Sequence, residues 1–270
     1  MDLVNDMAKI IKKGNQLEEE YNAIKQEQVN KIAKNTKAFC KTAFVTIMIY
    51  GVIMIVSVIA DIFSKAFMPL NICLGFVLLI ALGVCFGDNI SQRDIDILVS
   101  GINGEKIATQ VLSTLPADYI VFQDVIVTYN NKKSEIDNIV VGRSGVFIVE
   151  VKNHNSYIEG DLKDTYWTQH KVGRGGTPYT DEMYNPVKQV GTQIYRLANY
   201  LRQNGVNTYI EGMVYFVNKT CSVSLSGNSN ISVYSSSDND EDRLCRQILS
   251  GNQDLNSKSI NHICKLINQL

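Results

Sequence analysis

The 270 residues carry 26 Lys and Arg against 27 Asp and Glu, and a pI near 6.3 excludes a protein coated in positive charge for indiscriminate nucleic-acid binding, while leaving room for a local basic groove. The length accommodates one ordinary globular domain plus further segments. Six cysteines, Cys40, Cys73, Cys85, Cys221, Cys245 and Cys264, show no CxxC pair and no metal-finger spacing, which excludes a zinc ribbon and reads as reduced packing residues.

Residues 1–41 come first. Leu3, Met7, Ile10, Leu17, Tyr21 and Ile24 recur at alternating three- and four-residue spacing, interrupted by Gly14, and predict an amphipathic helix, either a short coiled coil or a solvated or membrane-surface helix. Residues 42–87 follow as two nearly continuous apolar runs, 42–60 and 66–87, hidden by a mean hydropathy of −0.03. As helices they span roughly 28 and 33 Å, close to a bilayer's hydrocarbon thickness. The expectation is a transmembrane hairpin. Lys31, Lys34, Lys37 and Lys41 precede it and the loop holds Lys65 beside Asp61, so the positive-inside rule places both termini in the cytoplasm.

Residues 88–100 read as a helical linker, and an α/β domain occupies 101–270. Ile107, Ala108, Val111, Leu112 and Leu115 give a first helix that stops near Pro116. Strands are predicted at about 119–128, 135–141 and 146–152 from their Val, Ile, Phe and Tyr content. The segment from Asn153 to Met183 is rich in loop, with short strands at Tyr157 and Ile158 and around Trp167. A helix from Pro186 to Gln203 follows, then strands near 209–217 and 230–235 and helices near 240–250 and 257–269.

Gly142-Arg143-Ser144-Gly145 joins two of these strands as a tight hairpin. Pairing about it sets Asp137 opposite Glu150 and Glu135 opposite Lys152 on one face. Two carboxylates that converge raise each other's pKa and favour a cation between them, Mg²⁺ or Mn²⁺, an arrangement suited to phosphodiester hydrolysis. The alternative is a plain ion pair of Glu135 with Lys152 and a solvated Asp137. Glu105 falls in the first turn of the first helix, where the helix dipole already favours a carboxylate, and a third carboxylate would complete a metal's oxygen shell. Lys171, Arg174 and Lys188 offer substrate phosphate contacts, the Gly-rich run 171–176 a substrate loop, and Trp167 and Tyr166 either base stacking or packing. His154 either assists the site or is solvated.

Gly101-Ile-Asn-Gly-Glu105, Glu135-Ile-Asp137, the run Gly145 to Asn153 with Glu150 and Lys152, then Gly160, Trp167 and Asn185-Pro-Val-Lys-Gln189 together resemble the nuclease-related domain (NERD) family, grouped with the PD-(D/E)XK, restriction-endonuclease-like superfamily. The resemblance covers about 101–218. It implies a core of helix, three-strand meander, helix and strand. It further implies metal ligation by Asp137 and Glu150 with help from Glu105, water activation by Lys152, and substrate contact or support by Gln189. Ile136 stands where the superfamily motif has proline. The expected whole is a restriction-endonuclease-like mixed sheet flanked by helices, preceded by the membrane hairpin and the amphipathic helix. Its expected function is that of a membrane-anchored, cytoplasm-facing, metal-dependent nuclease acting on nucleic acid, DNA above RNA, with a lipid bilayer as partner and self-association through the terminal helix or the hairpin. The alternative is a non-catalytic membrane scaffold whose domain only binds nucleic acid or protein.

Overall fold

The computed structural model describes residues 7–60, 92–173 and 175–270. The described residues divide into two compact units, one of those up to Leu17 and from Val99 onward, the other of those between Glu18 and Leu98.

The first unit is built on a six-stranded mixed sheet in the order β1-β2-β3-β4-β8-β10. Its strands are β1 (Lys9–Lys12), β2 (Ile120–Tyr129), β3 (Lys132–Gly142), β4 (Gly145–Lys152), β8 (Ile210–Phe216) and β10 (Ser232–Ser235). β2, β3 and β4 form an antiparallel meander, whereas β1 joins β2, and β8 joins β4 and β10, in parallel. β4 lies between neighbours and under helices on both faces, so Val146 to Val149 are all buried, which is why its sequence is apolar without alternation.

Helices cover both faces of this sheet. On one, Ile139, Val141, Val146, Ile148, Val214 and Phe216 pack with Val187, Val190, Leu197 and Leu201 of α3 (Pro186–Gln203) and with Ile263 and Ile267 of α5 (Ser257–Ile267). On the other, Val140, Phe147, Val149, Met213 and Tyr215 meet Ala108 and Leu112 of α2 (Gln92–Ser113) and Leu244 and Ile248 of α4 (Glu241–Leu249). The spacing of the buried α3 residues is that of a single helical stripe. α3 starts where it does because the Asn185 side chain accepts from Val187 N at 2.8 Å and Pro186 occupies the first turn.

A second, four-stranded sheet has the order β7-β6-β5-β9, from β5 (Tyr157–Asp161), β6 (Tyr166–Val172), β7 (Pro178–Tyr184) and β9 (Val223–Ser226). The segment expected to be mostly loop thus forms a meander of three strands. Trp167 anchors it, only 1% exposed, its indole N–H donating to the Asp161 carbonyl at 2.9 Å.

Several expectations are corrected. Among the described residues no helix is long and apolar enough to cross a membrane. The expected span 66–87 lies outside the described residues, as do Cys73 and Cys85. The run 42–60 is the last part of one 45-residue helix, α1 (Gln16–Ala60), whose earlier part is rich in Glu and Lys. The transmembrane hairpin, the membrane anchoring, the lipid bilayer as partner and the localisation with two spans and cytoplasmic termini fall with it, and so does self-association through that hairpin. The amphipathic helix expected over 1–41 is also different at its start. Lys9–Lys12 pairs with β2, with Ala8 N donating to Leu115 O and Lys13 N to Gln123 O, and two adjacent Ile in a short run favour a strand. Glu105 lies deep within α2, not in its first turn, so the helix dipole is not what places it.

Candidate active site

β4 and β8 end in parallel at Lys152 and Phe216, and the carboxyl end of parallel strands is the usual place for a site in an open α/β sheet. Here the neighbouring strand β3 is pried away. The β3–β4 ladder stops at Asn138 opposite Val149, and the β2–β3 ladder skips the pair Asp124 and Asp137 before resuming at Val125 opposite Ile136. Asp124 sits at φ 53, a left-handed conformation costly for a residue other than glycine. Across it the alternation of faces slips: Phe122 and Val125 belong to one core layer although they are three residues apart, as do Ile139 and Ile136. Asp137 stands at this slip, and its Oδ2 accepts from Val151 N at 2.7 Å, the donor next in line for the ladder.

The next two outward residues of β4 complete the centre. Glu150 is 1% exposed. Its Oε1 accepts from Lys152 Nζ at 2.7 Å and its Oε2 from Gln193 Nε2 at 2.7 Å. Lys152 Nζ also donates to Gln189 Oε1 at 3.1 Å. Gln189 and Gln193 are one turn apart on α3, so a single helix face supplies both amides. Glu105 approaches from α2, on the opposite face of the sheet, where Gly104 lets the helix come close: a Cβ there would stand 2.9 Å from Asn153 Cβ.

The electrostatics follow from this burial. Burial pushes the Asp137 carboxyl well above its ordinary range, Glu150 adds to the rise and Glu105 adds a smaller amount, while Lys152 and the Val151 N–H draw it partly back. Burial alone would lower the Lys152 ammonium, but Glu150 and Asp137 together outweigh it and raise the value above the ordinary 10.5. Lys152 is therefore a charged, anchored donor at neutral pH. His154 is held down to about 4, first by burial and then by Lys152 and Lys171, so it is a neutral, half-buried imidazole beside Phe216.

The sequence-derived site residues Glu105, Asp137, Glu150, Lys152 and Gln189 thus meet, as neighbours in space or through their fields. The three carboxyl groups do not assemble into a metal shell. Among the described residues no group of three or more His, Cys, Asp or Glu could hold a metal ion. The metal-dependent reading built on Asp137, Glu150 and Glu105 is corrected accordingly.

The outlying candidates fare differently. Lys171 Nζ pairs with Asp181 at 2.8 Å, and its field reaches His154. Lys188 donates to Thr165 Oγ1 at 3.2 Å, away from the carboxylates. Arg174 lies outside the described residues. Of the Gly-rich run, Lys171 and Val172 end β6, and the Gly173 and Gly176 amides already donate to Thr177 O and Gly173 O. Trp167 is packed, whereas Tyr166 remains exposed beside Tyr184, ring to ring at 6.0 Å. The residue that sequence reasoning missed is Gln193, and its signal was present as a glutamine one turn after Gln189 on the same helix.

Residues 100–217 match the nuclease-related domain (NERD) family. A 71-residue stretch, 26% of the chain, is 42% identical to an uncharacterized protein of Bacillus anthracis, covering 34% of it. The chain therefore spans about a third of the length of that curated relative. No solved structure matches the chain. This match gives residues 100–217 an affinity with the nuclease-related domains, and with it support for a hydrolase activity.

Proposed function

We propose that the α/β unit hydrolyses phosphodiester bonds of nucleic acid, DNA above RNA, as a member of the restriction-endonuclease-like PD-(D/E)XK superfamily. The observation that carries this reading is the buried ion pair of Lys152 with Glu150 beside Asp137, in a gap between strands at the carboxyl end of β4. Hydrolysis forms a bond from a water oxygen to phosphorus and breaks the ester bond to the leaving sugar oxygen, which takes up a proton from solvent water. Negative charge grows on the non-bridging oxygens as this happens. A fixed ammonium at Lys152, already oriented by Glu150 and Gln189, stabilises that charge without reorganising. Asp137, whose carboxyl value is raised well above its ordinary range, is placed to receive a proton from the attacking water when it starts as the carboxylate. Lys171 is paired with Asp181 at 2.8 Å, so a backbone phosphate would compete with that carboxylate for its ammonium.

A divalent cation is a separate proposal, about binding. The donor set that fits it is the pair Asp137 and Glu150, with the rest of the shell left to water and substrate phosphate as Mg²⁺ and Mn²⁺ accept. Such an ion, when bound, polarises phosphate and lowers the pKa of water. Calorimetry with either ion should give heat that Asp137→Asn abolishes; equal heat in that variant refutes the pair as its site.

The functional test uses the full chain with single- and double-stranded DNA and RNA. Cleavage by the wild type that is lost in Glu150→Ala and in Lys152→Ala supports the reading. Cleavage unchanged in both variants refutes it, and binding of nucleic acid without any cleavage makes the domain a binding module.

A further inference from the structure

We infer that Gln193 is a positioning residue of this site, one that fixes the Glu150 carboxylate and keeps the gap between β3 and β4 open. The inference rests on the hydrolase reading above and adds a part that reading does not contain. Gln193 is only 1% exposed. Its Nε2 donates both to Glu150 Oε2 at 2.7 Å and to the Glu135 backbone carbonyl at 2.8 Å.

Three features distinguish this from ordinary core packing. The amide orientation is fixed by chemistry, since both partners are obligate acceptors and the opposite orientation would present a carbonyl oxygen to each. Gln193 Oε1 is buried with no hydrogen-bond partner, so the residue is kept in the core at the expense of an unsatisfied acceptor. A leucine of similar size would avoid that expense, and only the two donated bonds recommend the glutamine. The third feature is where those bonds go. Glu135 belongs to β3 beyond the last rung shared with β4, and Glu150 belongs to β4, so one side chain bridges the two strands over the stretch where the ladder has ended. Asp137 makes the companion bridge to Val151 N. Between the two bridges the strands stay tied together and apart, and that opening exposes Asp137 toward Lys152.

With Oε2 held by Gln193 and Oε1 by Lys152, the Glu150 carboxylate has no rotational freedom, and Lys152 is in turn aimed from a fixed point. Without Gln193 the carboxylate can turn, and the ammonium follows it. The loss should appear in the chemical step and not in substrate binding, because Gln193 is buried behind Glu150.

The test uses the full chain and two variants. Gln193→Met keeps the length and removes both donors; Gln193→Asn keeps the amide but falls one methylene short, and decides the matter if the first variant does not fold. On DNA the expected result for each is a kcat lower by about 10- to 100-fold, the usual effect of removing a group that orients a functional residue, with KM within about twofold. Thermal midpoints of Gln193→Met, Glu150→Met and the double variant should be non-additive, the second substitution costing much less once the first is made. Additive midpoints overturn the inference, as does a raised KM at unchanged kcat. If the wild type cleaves nothing, the hydrolase reading fails on its own, and the double-variant midpoints still decide whether Gln193 holds Glu150.

Discussion

Lys152→Met is the substitution for which the structure makes the sharpest demand. It leaves the length and most of the volume of the side chain and removes only the ammonium. Glu150, with a side chain 2% exposed, then keeps one neutral donor, Gln193, and loses the cation at 2.7 Å. Removing one partner of a buried pair costs about 3 to 5 kcal/mol because the remaining charge is stranded. The Lys152 side chain is 21% exposed and Gln193 still donates, so the lower end, about 3 kcal/mol, is expected. In a unit of this size that corresponds to a midpoint lower by roughly 6 to 12 °C. Trp167 is the chain's single tryptophan and is buried in this unit, so its fluorescence follows the melting of this unit. The pH dependence has a definite sign. The Lys152 value is raised above 10.5, so its stabilising contribution is complete below that value and is lost only as pH climbs through the folded value. Between pH 5 and 7.5 the wild-type ammonium stays charged, and any change in the difference comes from the carboxyl groups. Without the cation, which draws the Asp137 value down, Asp137 takes up a proton more readily, and the deficit should shrink from pH 7.5 to pH 5. A variant within about 0.5 kcal/mol of wild type at pH 7.5, the range of an ordinary surface substitution, would refute the buried-pair argument.

Asp137→Asn should act in the opposite sense. The raised carboxyl value means that this group favours the folded state most below its ordinary 3.8 and that the contribution is lost as pH rises from there to the folded value. Asparagine retains an acceptor for Val151 N–H and carries no such penalty, so the variant's midpoint should gain on the wild type between pH 4 and 7.5; a constant gap over that range speaks against the shift. Gly160→Ala would put a methyl group 2.4 Å from Trp167 Cδ1 and 2.7 Å from Cγ. The expected cost is about 1 to 3 kcal/mol with a red shift of the Trp167 emission, and an unchanged spectrum and midpoint would show that β5 and β6 yield without strain.

The strands and helices of the α/β unit were legible because their periods are local properties. Val, Ile and Phe on β4, the stripe on α3 and the Asn185-Pro186 start are each visible within a few residues. The pairing register of β3 and β4 followed from one turn, since Gly142 pairs with Gly145. What could not be read is what depends on distant partners. Asp124 in a left-handed conformation shifts the face on which Asp137 stands, and no local pattern announces it. Gln193 looks like any polar helix residue until Glu150 and Glu135 are seen across from it. Of the β5 to β7 meander only short strands at Tyr157 and Ile158 and around Trp167 were legible; Gly160, Asp161, Pro178 and Asp181 break the pattern of the rest, which Trp167 anchors. The membrane reading is corrected for the described residues, where the run 42–60 continues a helix that starts at Gln16 and no helix is long and apolar enough to cross a membrane.

The placement of β1 matters for anyone who would cut this chain. Lys9 pairs with Ile120, more than a hundred residues further on, so the sheet closes over a long intervening segment and β1 is synthesised well before its neighbour. Such closure by distant contacts slows folding. A fragment beginning at the linker or at Gly101, the natural choice from sequence, would leave β2 with a bare edge of unpaired amides and carbonyls, the kind of edge that recruits another chain. It would also lose the 3.9 Å ion pair of Lys12 with Asp124, the residue whose backbone sets the position of Asp137. A poorly behaved or inactive fragment would then report on the cut and not on the α/β unit itself.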